Sequence, residues 1–214
     1  MSISEKLSVV IGYLLEVKML KILLMMYATL IPVILSGIFV MLWCKLPILK
    51  SFARPIDMGK NFTDGRRIFG DNKTWKGILG YVLFNIIFAV IWGFVCKGTS
   101  LGEYNFFYQN HENTLTFNLL IGLLLGLGYA LFELPNSFLK RRLDITPGKT
   151  VTGFRKVFFV FLDQADSVFG VALVVWLFYP LGILLYLAYV LVGAFTHILL
   201  NMMLYFMHLR KNMF

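Results

Sequence analysis

Asp163 and Asp166 stand three residues apart in a stretch, 157–179, that is otherwise apolar. A carboxylate near the middle of a membrane helix costs about 2.5–3.5 kcal/mol to insert. Two of them imply a partner that both contact. Their directions differ by about 300° around a helix, which puts them on one face. Glu133 joins the set. It lies seven residues before Lys140, and Asp163 lies seven residues after Lys156, at the two ends of one basic segment. At 1.5 Å per residue each acid is about 10 Å below that segment. Three carboxylates at one depth repel each other, and a divalent cation with oxygen ligands, Mg²⁺ above all, relieves the repulsion. Two other readings of the same acids stay open: pairing with Lys140, Arg141 or Arg155, and a proton or ion path.

The basic segments could bind anions. The first contains GRRIFGDNKTWKG, residues 65–77, where glycines let backbone N–H groups approach an anion and Lys73 and Lys76 add charge. The second reads ELPNSFLKRRLDITPGK, residues 133–149, with Asn136 and Ser137 beside Lys140 and Arg141. Basic groups over a divalent-metal site are what a polyphosphate substrate requires. His197 and Asn201, four residues apart near the C-terminal end, can share a polar face, and a buried, hydrogen-bonded histidine is expected there.

These groups need a membrane scaffold. The chain is 59% hydrophobic, above the roughly 45–50% apolar content of a soluble domain, and the excess comes in blocks. Five blocks reach the roughly 20 residues needed to cross a bilayer: 22–43, 77–96, 115–135, 157–179 and 181–207. The expected fold is an all-α integral membrane protein, a compact bundle of five transmembrane helices with two basic cytoplasmic loops. Residues 1–21 read as an interfacial segment, 22–209 as a single catalytic domain and 210–214 as a tail. Lysine and arginine crowd the 44–76 and 136–156 loops, whereas the 97–114 loop has only Lys97. The positive-inside rule then makes the basic loops cytoplasmic and the N-terminus external. Lys6, Lys18 and Lys21 oppose this with a smaller signal. Glycines at 122 and 126 predict close packing of the third span. Cys44 and Cys96 fall at opposite ends of the bundle, so no disulfide is expected. The net charge of +9 fits basic loops at anionic headgroups. No recognition-helix or zinc spacing points to nucleic acid, and nothing indicates an obligate protein partner.

The run N136-S-F-L-K-R-R-L, then P147-G-K and F161-L-D-Q-A-D166, together with R67-I-F-G-D-N-K-T-W-K-G77, resembles the CDP-archaeol synthase family. More distantly, S137-F-L-K140-R141 and D163-Q-A-D166 resemble the CDP-diacylglycerol synthases. The chain departs from that second branch by reading FFVF where a His-Gly-Gly segment precedes the aspartates. The resemblance implies a bundle of five helices with a polar cavity open to the cytoplasm in the cell (plasma) membrane. It implies a cytidylyltransferase of phospholipid biosynthesis that uses CTP and Mg²⁺. A lipid phosphate, archaeol-type or phosphatidate-like, attacks CTP, and pyrophosphate leaves. Carried over by residue, Asp163 and Asp166 would hold metal; Glu133, placed with them by depth, stands where the archaeal pattern has an aspartate-containing stretch. Lys140 and Arg141 would contact phosphates, Lys140 acting with the aspartates in catalysis. Asp71, Asn72, Lys73, Thr74 and Lys76, with Asn136 and Ser137, would hold the nucleotide. The competing class is a small transporter or channel for a charged solute. It needs polar residues along the full depth, and the outer parts of spans three and four, 119–126 and 170–176, offer almost none.

Overall fold

The computed structural model describes residues 3–146 and 155–208. Pro147, Gly148, Lys149, the side chains of Lys6 and Arg155, and the tail with Arg210 and Lys211 lie outside the described residues. In chain order the helices are α1 (Ile3–Lys45), α2 (Trp75–Lys97), the short α3 (Phe107–Asn110), α4 (Leu115–Arg142), α5 (Arg155–Phe178) and α6 (Gly182–Phe206). Five of them are long and apolar enough to cross a membrane, so the chain is an integral membrane protein with an all-helical bundle.

Local chemistry sets the helix boundaries. Thr74 Oγ1 accepts from the Gly77 N–H at 3.1 Å and starts α2, and Thr114 Oγ1 accepts from the Phe117 N–H at 3.2 Å and starts α4. Pro180 separates α5 from α6, and Gly182, at φ +66°, takes the left-handed conformation that makes the turn tight.

Two boundaries differ from the sequence reading. Residues 3–21 are continuous with the first span, with no break near 21. The third span does not stop at Pro135 but runs to Arg142 with that proline inside it. A proline is tolerated in a buried membrane helix where neighbours re-satisfy the backbone. Asn136, Ser137, Lys140 and Arg141 therefore sit on a helix rather than in a loop, and their directions are fixed by helical geometry.

Helix α4 is the central element, packed on both α2 and α5. The packing is close because glycines face backbone. A Cβ on Gly126 would lie 2.5 Å from the Val82 Cα of α2, and one on Gly170 of α5 would lie 2.1 Å from the Gly128 carbonyl oxygen of α4. The expected tight packing around Gly122 and Gly126 is thus directed at α2. At the end opposite the basic loops, Phe106 is buried, its N–H donating to Thr29 Oγ1 at 3.0 Å and its ring against Tyr179 and Tyr189. With Leu125, Val171 and Val175 it makes an apolar core that closes that end of the bundle.

Gly170→Ala should force α4 and α5 apart at a cost of about 1–3 kcal/mol. In detergent it should lower the midpoint of thermal unfolding by about 3–10 °C. Gly98→Ala, whose Cβ meets nothing nearer than 3.7 Å, should leave the midpoint unchanged.

Candidate active site

The glycine contact between α4 and α5 brings the polar residues of the two helices together. The Asn136 side-chain nitrogen donates to Asp163 Oδ1 and to Asp166 Oδ2, both at 2.7 Å. Asp166, only 8% exposed, also accepts from the Ser167 N–H at 2.6 Å. The Lys140 ammonium is ion-paired with Asp163, and the Lys73 ammonium with Glu133. Between the aspartates, Gln164 turns to α6. Its Oε1 accepts from Asn201 Nδ2 at 2.6 Å, and its main-chain oxygen lies 3.2 Å from His197 Nδ1. The polar face expected of His197 and Asn201 exists, and its partner is the residue inside the aspartate motif.

The first basic loop is tied around Asp57, which the sequence reading missed. The Asp57 carboxylate accepts from the N–H groups of Gly59, Phe69 and Gly70 and from the Arg67 guanidinium at 2.8 Å. Burial pushes this carboxyl up, but the Arg67 guanidinium and the three backbone N–H groups outweigh it and hold the carboxyl far below the usual range. The signal in the sequence was an aspartate two residues before a glycine, a spacing that favours an Asx turn. Arg142 fastens the loop to α4. Its Nη2 donates to the Arg66 and Arg67 carbonyls at 3.1 and 2.5 Å, Asp64 pairs with it at 2.7 Å, and it packs against the edge-to-face pair of Phe62 and Phe138. So held, the loop places Lys73 over Glu133. Burial pulls the Lys73 ammonium down, while Glu133, with Asp166 and Asp163 further off, more than compensates and raises it above the usual lysine value.

These groups line one cavity of about 810 Å³. Asn72, Lys73, Thr74, Glu133, Asn136, Ser137, Lys140, Arg141, Asp163 and Asp166 all reach it. Two expected nucleotide ligands do not. Asp71 is largely exposed and ion-paired with Arg67 at 3.0 Å. Lys76 is buried elsewhere, its ammonium donating to the Leu46 carbonyl at 2.6 Å over the Trp43 ring. The Thr74 cap starts the helix between the two lysines, so Lys73 stays on the cavity side and Lys76 turns to the end of α1. Thr74 reaches the wall, and its hydroxyl oxygen accepts the cap bond while its O–H can still donate. Arg141 is 8% exposed and lines the cavity, yet among the described residues its Nε and Nη1 have no hydrogen-bond partner. A buried guanidinium with open donors calls for an anion.

Glu133 is ion-paired with Lys73 rather than gathered with the two aspartates, and among the described residues no three acidic, histidine or cysteine side chains converge as a metal cluster. The residues still fit a hard cation. Among the described residues the buried Asn136 Oδ1, beside two carboxylates, has no partner, and a half-turn of that amide gives three oxygen ligands.

The sequence model of the CarS-like, CDP-archaeol synthase family matches residues 19–214. The chain belongs to this family. Among its relatives, the CDP-archaeol synthase of Pyrococcus furiosus is 36% identical over 107 residues, 50% of this chain and 56% of that protein. That of Archaeoglobus fulgidus is 34% identical over 154 residues, 70% of this chain and 78% of the relative. That of Methanocaldococcus jannaschii is 27% identical over 176 residues, 78% and 92% of the two chains. The chain thus spans little more than half the length of the first of these relatives. A solved structure described as an intramembrane enzyme for archaeal membrane lipids biosynthesis superposes with a TM-score of 0.52 at 24% identity. It covers 82% of this chain and 91% of its own, so the helical fold is shared.

The Asp57 knot should be acid-sensitive. A carboxyl held below its unfolded value, about 3.9, contributes stability that is present above that pH and lost as pH falls through the folded value. Protease protection of the 46–74 loop should therefore persist from neutral pH to about pH 4 and decline below it. Asp57→Asn should lower protection already at pH 7.

Proposed function

We propose that this chain transfers a cytidylyl group from CTP to a lipid phosphate, giving a CDP-lipid and pyrophosphate in phospholipid synthesis. The observation that carries the reading is Arg141: a buried guanidinium with open donors, beside Lys140, in the same cavity as the Asp163–Asn136–Asp166 cluster. Membership of the CDP-archaeol synthase family supplies the reaction class.

The cavity has two parts. Its basic end carries Lys73, Lys140 and Arg141 and suits a triphosphate. Its other arm is apolar, between Ile34, Ile38 and Met41 of α1 and Leu200 and Leu204 of α6, and suits the chains of a lipid whose phosphate rises to the acids. The transporter reading gains nothing from this arrangement, because apolar core closes the far end.

In the transfer, an oxygen of the lipid phosphate attacks the α-phosphorus of CTP. The bond from that phosphorus to the bridging oxygen of the β-phosphate breaks, and pyrophosphate takes the electron pair. A phosphate monoester is already anionic, so the nucleophile needs no strong base. The barrier is the approach of two anions and the charge gathering on the leaving group. Lys73 and Lys140, each positioned by an acid, and Arg141, held by burial, meet that charge without reorganising. Asp163 and Asp166, with the Asn136 oxygen, would hold Mg²⁺, which supplies further neutralisation of the triphosphate. The basic end faces the cytoplasm in this reading, where CTP is available, and the N-terminus lies outside the cell membrane.

Purified protein given labelled CTP and Mg²⁺ should form a CDP-lipid and pyrophosphate with a diether glycerol phosphate or with phosphatidic acid, tested separately. EDTA should abolish the product. Asp163→Asn and Asp166→Asn should each remove turnover while the protein still inserts in the membrane; turnover retained in both would overturn the assignment. Arg141→Ala should weaken CTP binding by roughly 10–100-fold in calorimetric titration.

A further inference from the structure

Gln164 lies between the two aspartates, and the chemistry above leaves it unused. It is 2% exposed, and Asn201, which donates to its side chain, is 5% exposed. His197 holds the Gln164 main-chain carbonyl from one turn away on the same face of α6. All three residues line the cavity, but Gln164 and Asn201 are nearly closed off from it, so the bond between their side-chain amides is shielded.

The placement matters because Asp163 and Asp166 move only with α5. Side-chain ends lie about 5–6 Å from a helix axis, so a 10° rotation displaces a carboxylate by about 1 Å. On the α4 side Gly170 packs on Gly128, with the side chains of Phe132 and Val174 flanking the contact. On the α6 side Val168 packs on Gly193, and one turn nearer the acids the polar bonds to Gln164 take over. Asn136 then reads the setting from α4, because its one amide faces both carboxylates, with the nitrogen 2.7 Å from each.

We infer that Gln164, His197 and Asn201 form a positioning clamp that fixes the rotation of the aspartate-bearing helix. The inference rests on the cytidylyl-transfer reading. None of the three is a catalytic residue; each acts through Asp163 and Asp166. A misplacement of 1 Å costs about 100-fold in rate where reacting groups must be aligned.

The test uses Gln164→Leu, Asn201→Leu and their double variant in the full chain, with kcat and KM for CTP measured together and Mn²⁺ binding read by electron paramagnetic resonance as a probe of the acid pair. Each single variant should lower kcat by about 10- to 100-fold and weaken Mn²⁺ binding, with the KM for CTP nearly unchanged. The double should be no worse than the more damaged single, because both break one bond. His197→Asn keeps a donor near the Nδ1 position and should retain kcat, whereas His197→Leu should not; this pair decides the matter if a leucine variant at 164 or 201 fails to fold. Wild-type kcat and Mn²⁺ affinity in the single variants, or losses that multiply in the double, overturn the clamp. A wild-type protein that transfers nothing but binds Mn²⁺ overturns the function reading, and the Mn²⁺ affinities of the variants then decide the clamp alone. A wild-type protein that does neither overturns both.

Discussion

Two carboxylates at one depth in an apolar bundle must share their hydrogen-bond donors, and the Asn136 amide is where they do so. That requirement reaches outward. Asn136 lies immediately after Pro135 within α4, so α4 must stay helical past a proline to aim it. The aspartates must stand close enough for one nitrogen to bridge them, which demands that α4 and α5 touch at backbone distance. Lys140, one turn further along α4, is then in place to neutralise Asp163. Burying the acids without these partners would carry the full insertion cost.

Much of this was legible in the sequence, and for identifiable reasons. The five spans are visible because a bilayer demands about 20 apolar residues in a row. The acid pair is visible because carboxylates are costly there. The tight α4 packing is visible as glycines four residues apart. The details around Pro135 and residue 21 were less legible, because hydropathy marks where lipid ends and not where hydrogen-bonded helix ends. Residues 136–142 are mostly polar and still helical.

Contacts of the first basic loop were the least legible. Composition reports that lysines and arginines are present, but a loop's side chains are aimed by its turns. Asp57 takes hydrogen bonds from residues up to 13 positions away, a relation with no periodic signature. The separation of Lys73 from Lys76 follows from where α2 starts, which depends on the Thr74 cap. Glu133 was expected beside the aspartates from its depth alone. Depth does not fix direction, and the loop's Lys73 takes its charge.

Arg142 ties the first loop to the last turn of α4, and Arg66 returns the tie through the Arg142 carbonyl and Asp144. Lys140 and Arg141 sit on that same turn. The loop that lines part of the cavity and the cations of α4 are therefore parts of one lever. A displacement of the loop pulls on the segment that carries the charges. Loop position and electrostatic grip are mechanically linked, so a shift of the first retunes the second.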